Sequence, residues 1–201
     1  MGIPSYNNMV RRKEGPWPVG KGRAQSFELG NVVWIFPAKT GQTSLRGAIN
    51  TGYETEFGCS NKPRHLTLKE VLQLASSGAP VIMTVRHPFA RLVSAYNNKF
   101  AGNYPDWNKF IKEVYETGDS VCDIHVQSMH CLLPPGVLPF FIHTETMEQD
   151  YEEARAIVPW LSRVLPHANA TGTGSNWEKY FTKEQEDMMY YRYLADFSII
   201  V

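Results

Sequence analysis

The sequence predicts an α/β domain of the P-loop type, in which a mainly parallel central sheet lies between layers of helices. Two short runs, 32–36 and 81–85, are almost wholly apolar and rich in β-branched residues, as expected for strands buried on both faces. Each run is followed by a tight turn and a helix-forming segment, and this alternation is typical of parallel sheets. A third apolar run, 137–143, predicts a further strand.

The size and charge of the chain restrict what it can be. With 201 residues, 43% of them hydrophobic, it can bury one sizeable core, so we expect a single domain over residues 31–201. Residues 1–30 are rich in glycine, proline and polar side chains and predict an irregular N-terminal arm. The 20 basic and 20 acidic side chains cancel, which argues against nucleic acid as a partner.

The predicted helices carry local start signals. Thr67 and Thr182 are the expected N-caps of two helices, because Glu70 and Gln185 complete capping boxes three residues later. Pro88 stands at the favoured first position of a helix that follows the second strand. The other helices are expected over residues 43–50, 106–116 and 148–165, with Pro159 bending or interrupting the last of them.

The turn after the first strand combines a cation, a glycine and two hydroxyls at the start of a helix. Gly41 lets the main chain approach a ligand, and Thr43 and Ser44 can donate hydrogen bonds beside the N–H groups of the helix start. Lys39 adds a positive charge where a leaving oxygen would develop negative charge. This combination predicts phosphate binding, although an ordinary strand-to-helix turn with a surface lysine has the same pattern.

A second cluster follows the strand 81–85. Arg86 can hold a phosphate through two parallel hydrogen bonds, and Ser94, roughly two helical turns further on, can offer a hydroxyl. A nucleotide with two separated phosphate positions fits two such sites. A kinase is an alternative, but Lys39 lies four residues before Thr43, and Arg86 takes the place of an acidic residue that could help to hold magnesium. A nucleotide-binding module without turnover is a third possibility.

Two segments resemble the sulfotransferases that use 3′-phosphoadenosine 5′-phosphosulfate (PAPS), most closely the Golgi carbohydrate sulfotransferases of the HNK-1 and chondroitin or dermatan 4-O-sulfotransferase group. Residues 37–45, PAKTGQTSL, look like the 5′-phosphosulfate loop of that family. Residues 85–100, VRHPFARLVSAYNNKF, look like its 3′-phosphate segment. Weaker likeness covers residues 125–127, 141–148 and 180–197.

The resemblance implies transfer of a sulfuryl group from PAPS to a hydroxyl or amine of an acceptor, with adenosine 3′,5′-bisphosphate (PAP) as product and no metal. A carbohydrate acceptor is favoured, and a small alcohol stays open. The residues that it implies for donor binding are Lys39, Thr40, Gly41, Gln42, Thr43, Ser44, Arg86, Ser94 and Asn169. Asn169 also begins an N-glycosylation sequon, which matters only in a secretory protein.

His125 is the predicted general base, because it stands in a family-like segment of polar, irregular character that can face a cleft. Lys39 is expected to act in catalysis by stabilising the leaving group. His130 and His65 are alternative bases, and Glu54 is a carboxylate alternative. Val126 departs from the resemblance, since the family has an aromatic residue after this histidine.

The sequence gives less information about the cellular compartment of the chain and the redox state of its cysteines. No stretch approaches the roughly 20 continuous apolar residues that span a bilayer, so we expect a soluble, cytoplasmic chain, or one from the Golgi lumen if it is a fragment. Its three cysteines, Cys59, Cys122 and Cys131, lack metal-ligand spacing. One disulfide and one free thiol are compatible with them.

Overall fold

The computed structural model describes residues 25–60, 62–120, 122–166 and 176–200. The strands in these residues are β1 (Ser26–Leu29), β2 (Val32–Ile35), β3 (Arg64–His65), β4 (Val81–Val85) and β5 (Phe140–His143). The α-helices are α1 (Gln42–Phe57), α2 (Leu68–Ser76), α3 (Pro88–Ala95), α4 (Trp107–Glu116), α5 (Met147–Ile157), α6 (Lys183–Arg192) and α7 (Leu194–Phe197). A π-helical segment, Tyr96–Phe100, continues α3, and a 3₁₀ helix, Met129–Leu132, precedes β5.

The five strands form one mixed sheet with the order β3-β1-β2-β4-β5. β2, β4 and β5 are parallel neighbours, whereas β1 runs antiparallel to both β2 and β3. The prediction of a mainly parallel sheet is therefore wrong for the half of the sheet that contains β1 and β3.

The prediction of an irregular arm is also wrong at residues 26–29, which form β1. The reason is a hairpin turn at Gly30 and Asn31, which both have a φ of 61° and so match the strand twist.

Helices cover both faces of the sheet, as the sequence predicts. Val33 and Ile35 of β2 pack on the side of α2, and Trp34 between them packs on the side of α1 and α5. This alternation follows from the two-residue period of a strand, and it explains why β2 and β4 are apolar almost throughout. A further apolar cluster joins α3, the π-helical segment, α4 and α6.

Local signals fixed several element boundaries. β4 spans the predicted residues, Pro88 begins α3, and both predicted capping boxes are present. The predicted helix 148–165 is interrupted as expected near Pro159: α5 ends at Ile157, because Pro159 has no N–H and disfavours helical geometry at the residue before it. α1 continues to Phe57, seven residues beyond the predicted end.

Two further expectations concern the membrane and the cysteines. No helix in the described ranges has both the length and the apolar character needed to cross a membrane. Cys59, Cys122 and Cys131 are all free thiols, so the structure contains no disulfide between them. Burial raises the pKa of the Cys122 thiol to about 12, and the charge of Asp119 contributes. Cys122 is therefore a packed, protonated side chain at neutral pH.

Candidate functional site

The candidate site lies where the parallel strands β2, β4 and β5 end. Loops that follow neighbouring parallel strands emerge at one edge of a sheet, which is where open α/β folds place their ligands. Thr144 closes this edge, because its N–H and Oγ1 both donate to the Val85 carbonyl, at 2.9 and 3.0 Å. The two predicted phosphate segments therefore share one edge.

The loop between β2 and α1, residues 36–41, is called here the donor loop. Lys39 and Gly41 both have left-handed backbone conformations, with φ of 71° and 74°. Such a conformation is uncommon for a residue with a side chain and is typical of functional sites. A Cβ on Gly41 would also lie 2.3 Å from Met147 Cε, the end of a flexible side chain, so the positive φ is the stronger reason for glycine there. Gly41 is the N-cap of α1 and has no side chain to accept from the first turn. The Ser44 N–H donates to the Gly41 carbonyl at 3.2 Å, and the N–H groups before it are available to an anion.

The hydroxyls predicted to bind the donor differ in their surroundings. Thr40 is fully buried, and its Oγ1 donates to the Pro37 carbonyl at 2.7 Å and contacts Thr84 Oγ1. Its hydroxyl therefore holds the donor loop against β4, and only its main chain can meet a ligand. Thr43 is exposed in the first turn of α1, whereas Ser44 is 8% exposed.

Arg86 lies at the end of β4 and reaches the donor loop. Its Nη1 donates to the Lys39 carbonyl at 3.3 Å, while its Nε is buried without a hydrogen-bond partner in the described residues. Burial lowers the pKa of Arg86, Glu145 opposes that effect, and Arg91 adds to it. Burial and the charge of Arg86 also lower the pKa of Lys39. Two cations thus lie close together, and an anion would stabilise both.

Ser94 and Asn169 complete the predicted donor-binding set. Ser94 belongs to α3, is 5% exposed, and its carbonyl accepts from Asn98 Nδ2 at 3.0 Å. It lies about 9 Å along the helix axis from Pro88, so a ligand that contacts both Arg86 and Ser94 must extend beside α3. Gln42 is half-buried at the start of α1. Asn169 lies outside the described residues, and its role stays a prediction.

Arg91 connects the donor loop to the segment that contains His125. Its side chain is 2% exposed, and it donates to three carbonyls: Ala38 at 2.8 Å, Gln127 at 2.7 Å and Ile124 at 3.2 Å. Sequence reasoning missed this role. The available signal was a charged side chain inside α3, a helix whose residues are otherwise mostly apolar.

His125 lies in an irregular segment with 22% of its side chain exposed. Its Nδ1 is 2.5 Å from Asp123 Oδ1, and its main-chain N–H donates to the same oxygen at 2.9 Å. Burial would raise the pKa of Asp123, but hydrogen bonds from His125 and the nearby charge of Lys99 outweigh it and lower this pKa. Asp123 is therefore a carboxylate at neutral pH. Asp123 is not among the residues that the sequence motifs predict for the site, although aspartate side chains commonly accept from the backbone N–H two residues later.

The alternative bases are placed less favourably. The hydrogen bond to Asp196, with a further contribution from Cys131, raises the pKa of His130 to about 10, so His130 is positively charged at neutral pH and cannot accept a proton. Glu54 lies twelve residues beyond the start of α1, about 18 Å along the axis from the donor loop. His65 is exposed on β3, which β1 separates from β2.

Comparison with known families assigns the class of the protein. The family model described as "Sulfotransferase family" matches residues 46–199, which is more than half of the chain. The chain therefore belongs to the sulfotransferase family, whose members transfer sulfuryl groups. The match includes Arg86, Ser94 and His125 but begins just after the donor loop. No curated protein and no solved structure gave a significant match. No group of three or more metal-ligating side chains occurs in the part of the chain that the structure describes.

The His130–Asp196 pair predicts a pH dependence of stability. Because the pKa of His130 is about 10 in the folded protein and lies near 6.5 when unfolded, its stabilising charge is fully present below pH 6.5 and is lost as the pH rises through about 10. His130→Asn should therefore destabilise the protein most at mildly acid pH. Urea unfolding of both proteins over this range measures the difference, and a difference that stays constant or grows with pH would contradict the assignment.

Proposed function

We propose that this chain is a PAPS-dependent sulfotransferase that binds the two phosphate groups of one donor at the ends of β2 and β4. One observation carries the proposal: the half-buried Arg86 has a buried, unpaired Nε among the described residues and lies against the donor loop at Lys39. A buried donor without a partner costs about 1–3 kcal/mol, and more when it is charged. The Nε atoms of Arg155 and Arg192 are also buried and unpaired, so it is the position of Arg86 beside Lys39 at the strand ends that points to an anionic ligand. The family match supports sulfuryl transfer independently of this argument.

The donor loop is proposed to hold the 5′-phosphosulfate. The N–H groups at the start of α1 supply hydrogen bonds and a positive dipole, and Gly41 allows close approach. Thr43 and Ser44 can add hydroxyl donors from the same turn. Lys39 faces the oxygen that leaves with PAP and stabilises the charge that develops there.

Arg86 and Ser94 are proposed to hold the 3′-phosphate. Arginine binds phosphate through two parallel hydrogen bonds, and a phosphate at Arg86 would satisfy the buried Nε. The hydroxyl of Ser94 can then contact a ligand that lies along α3. Asn169 is kept as a further donor contact. Glu145 accepts from the His87 N–H at 3.1 Å. Its negative charge reduces the attraction of this part of the site for an anionic ligand.

His125 is proposed as the general base. The acceptor oxygen or nitrogen attacks the sulfur in line as the bond between sulfur and the departing PAP oxygen breaks, and His125 takes the proton of the acceptor. Arg91 holds the main chain around His125 against the donor loop, so both partners in the transfer are held by one packed unit. A carbohydrate is the proposed acceptor class, and a small alcohol is the second candidate.

Binding of PAP tests the donor site directly. PAP at saturating concentration should raise the melting temperature by about 5 °C or more, because a ligand that binds only the folded state stabilises it. Arg86→Gln should abolish most of this shift, since it removes the paired hydrogen bonds to phosphate. Arg64→Gln, which removes an exposed arginine paired with Glu28 and Glu70, is the matched control and should keep the shift. A larger shift with ATP and Mg²⁺ than with PAP would favour a kinase instead.

Replacement of the base separates binding from chemistry. His125→Ala should retain the PAP-induced melting shift but lose transfer by about 100-fold or more, because general base catalysis contributes factors of that order. Release of PAP from PAPS in the presence of sugar and alcohol acceptors measures the transfer. His65→Ala, which removes an exposed histidine on β3, should keep wild-type activity. Unchanged transfer in His125→Ala would remove His125 from the mechanism, and PAP binding without any transfer by the wild-type protein would indicate a binding module.

A further inference from the structure

We infer that Asp123 is a positioning residue of the site, which holds the imidazole of His125 in one tautomer with Nε2 free to accept a proton. The inference rests on the proposed function, in which His125 is the base. It concerns a residue that neither the sequence motifs nor the donor-binding geometry identifies. Asp123 acts only through His125 and is not proposed to contact the donor or the acceptor.

The contacts of Asp123 determine which ring nitrogen carries the proton. A charged carboxylate can only accept hydrogen bonds, so the 2.5 Å contact between Asp123 Oδ1 and His125 Nδ1 requires a proton on Nδ1. In a neutral imidazole the lone pair is then on Nε2. The main-chain N–H of His125 donates to the same oxygen at 2.9 Å, so ring and backbone are fixed by one carboxylate.

The second oxygen of the carboxylate is also engaged. Asp123 Oδ2 lies 3.6 Å from Lys99 Nζ, and the side chain of Asp123 is only 7% exposed. Lys99 belongs to the π-helical segment, as does Phe100, whose ring meets the His125 ring edge-on with centroids 6.4 Å apart. π-helical turns change the direction in which side chains leave a helix and are frequent at functional sites. This segment therefore helps to hold both Asp123 and His125.

The described residues contain two other histidine–aspartate pairs, and the contacts of these pairs differ from those of His125 and Asp123. Asp196 accepts from the main chain at Met129 and His130, and His130 is already protonated at neutral pH. Asp150 accepts from the N–H and Nδ1 of His143 and from Thr146 Oγ1, and thereby closes the turn between β5 and α5. Each of these pairs has a clear structural role.

The pair at Asp123 differs because its main chain is tied to the donor loop. Arg91 donates to the carbonyls of Ile124 and Gln127, which flank His125, and to the carbonyl of Ala38 in the donor loop. The position of the histidine relative to the donor is thus set by Arg91. The orientation and tautomer of its ring are set by Asp123, so a change at Asp123 should affect the ring more than the loop.

Asp123→Asn tests whether Asp123 sets the orientation and tautomer of the His125 ring, while Arg91 sets the position of the main chain. Asparagine has nearly the same shape but offers no negative charge, so it does not favour the Nδ1–H tautomer or stabilise the imidazolium that forms during transfer. We expect kcat to fall about 100-fold or more, with the PAP-induced melting shift and the KM for the acceptor changed less than about threefold. Asp187→Asn, which alters an exposed aspartate of α6 paired with Lys183, is the matched control and should leave kcat unchanged.

A spectroscopic measurement tests the same inference without any activity. ¹⁵N NMR of the histidine side chains at alkaline pH should show the His125 ring protonated at Nδ1 in the wild-type protein, and as a mixture of tautomers or at Nε2 in Asp123→Asn. The His125→Ala spectrum identifies the signal. Wild-type kcat in Asp123→Asn, or an Nε2–H tautomer in the wild-type protein, would overturn the inference.

The outcomes also separate this inference from the proposed function. A wild-type protein that neither binds PAP nor releases it from PAPS would refute the proposed function, and the tautomer of His125 would still show whether Asp123 fixes the ring. A protein that transfers sulfuryl groups and loses transfer in His125→Ala, but not in Asp123→Asn, would refute only the role of Asp123. If Asp123→Asn does not fold, the wild-type spectrum alone decides.

Discussion

The buried guanidinium of Arg91 is the contact on which the arrangement of the candidate site depends. A buried cation must have partners, and Arg91 finds them in three main-chain carbonyls instead of a carboxylate. Those carbonyls belong to the donor loop and to the segment around His125, which are distant in sequence. Loss of either side would leave a buried charge only partly satisfied, so the two segments are held together. Catalysis between a bound donor and a base requires this kind of fixed geometry.

The arginines of this protein show how structural and ligand-binding roles differ physically. Arg192 is paired through both terminal nitrogens with Asp119, at 3.1 and 2.6 Å, and its charge is thereby compensated within the protein. Arg86 is half-buried, and within the described residues its side chain donates one long hydrogen bond, to the carbonyl of Lys39, which is itself a cation. This positive charge, which Glu145 offsets only in part, lies at the edge of the sheet where ligands bind in α/β folds. That contrast, rather than the number of basic residues, supports an anionic ligand in a chain of zero net charge.

Much of the fold follows from local rules, whereas the contacts of the site depend on tertiary packing. β4, the start of α3 at Pro88 and both capping boxes are determined within a few residues, and the sequence predicts them correctly. β1 was missed because its glycine-rich surroundings indicated an irregular arm, although a Gly-Asn turn between the alternating segment SFEL and the apolar segment VVWI favours a hairpin. The partners of Arg91 come from segments far along the chain, so neither periodicity nor spacing reveals them. The donor loop and Arg86 stay predictions as binding residues, and they stand out in the sequence because they place cations, a glycine and hydroxyls at strand ends.

A crystal structure of this chain with PAP tests the central claim most directly. The account predicts one PAP molecule along the shared edge of β2 and β4, with its 5′-phosphate against the donor loop at Lys39 and its 3′-phosphate on Arg86 and Ser94. The Nε of Arg86 should then have an oxygen within hydrogen-bonding distance. PAP bound elsewhere, or with either phosphate remote from these residues, would contradict the account.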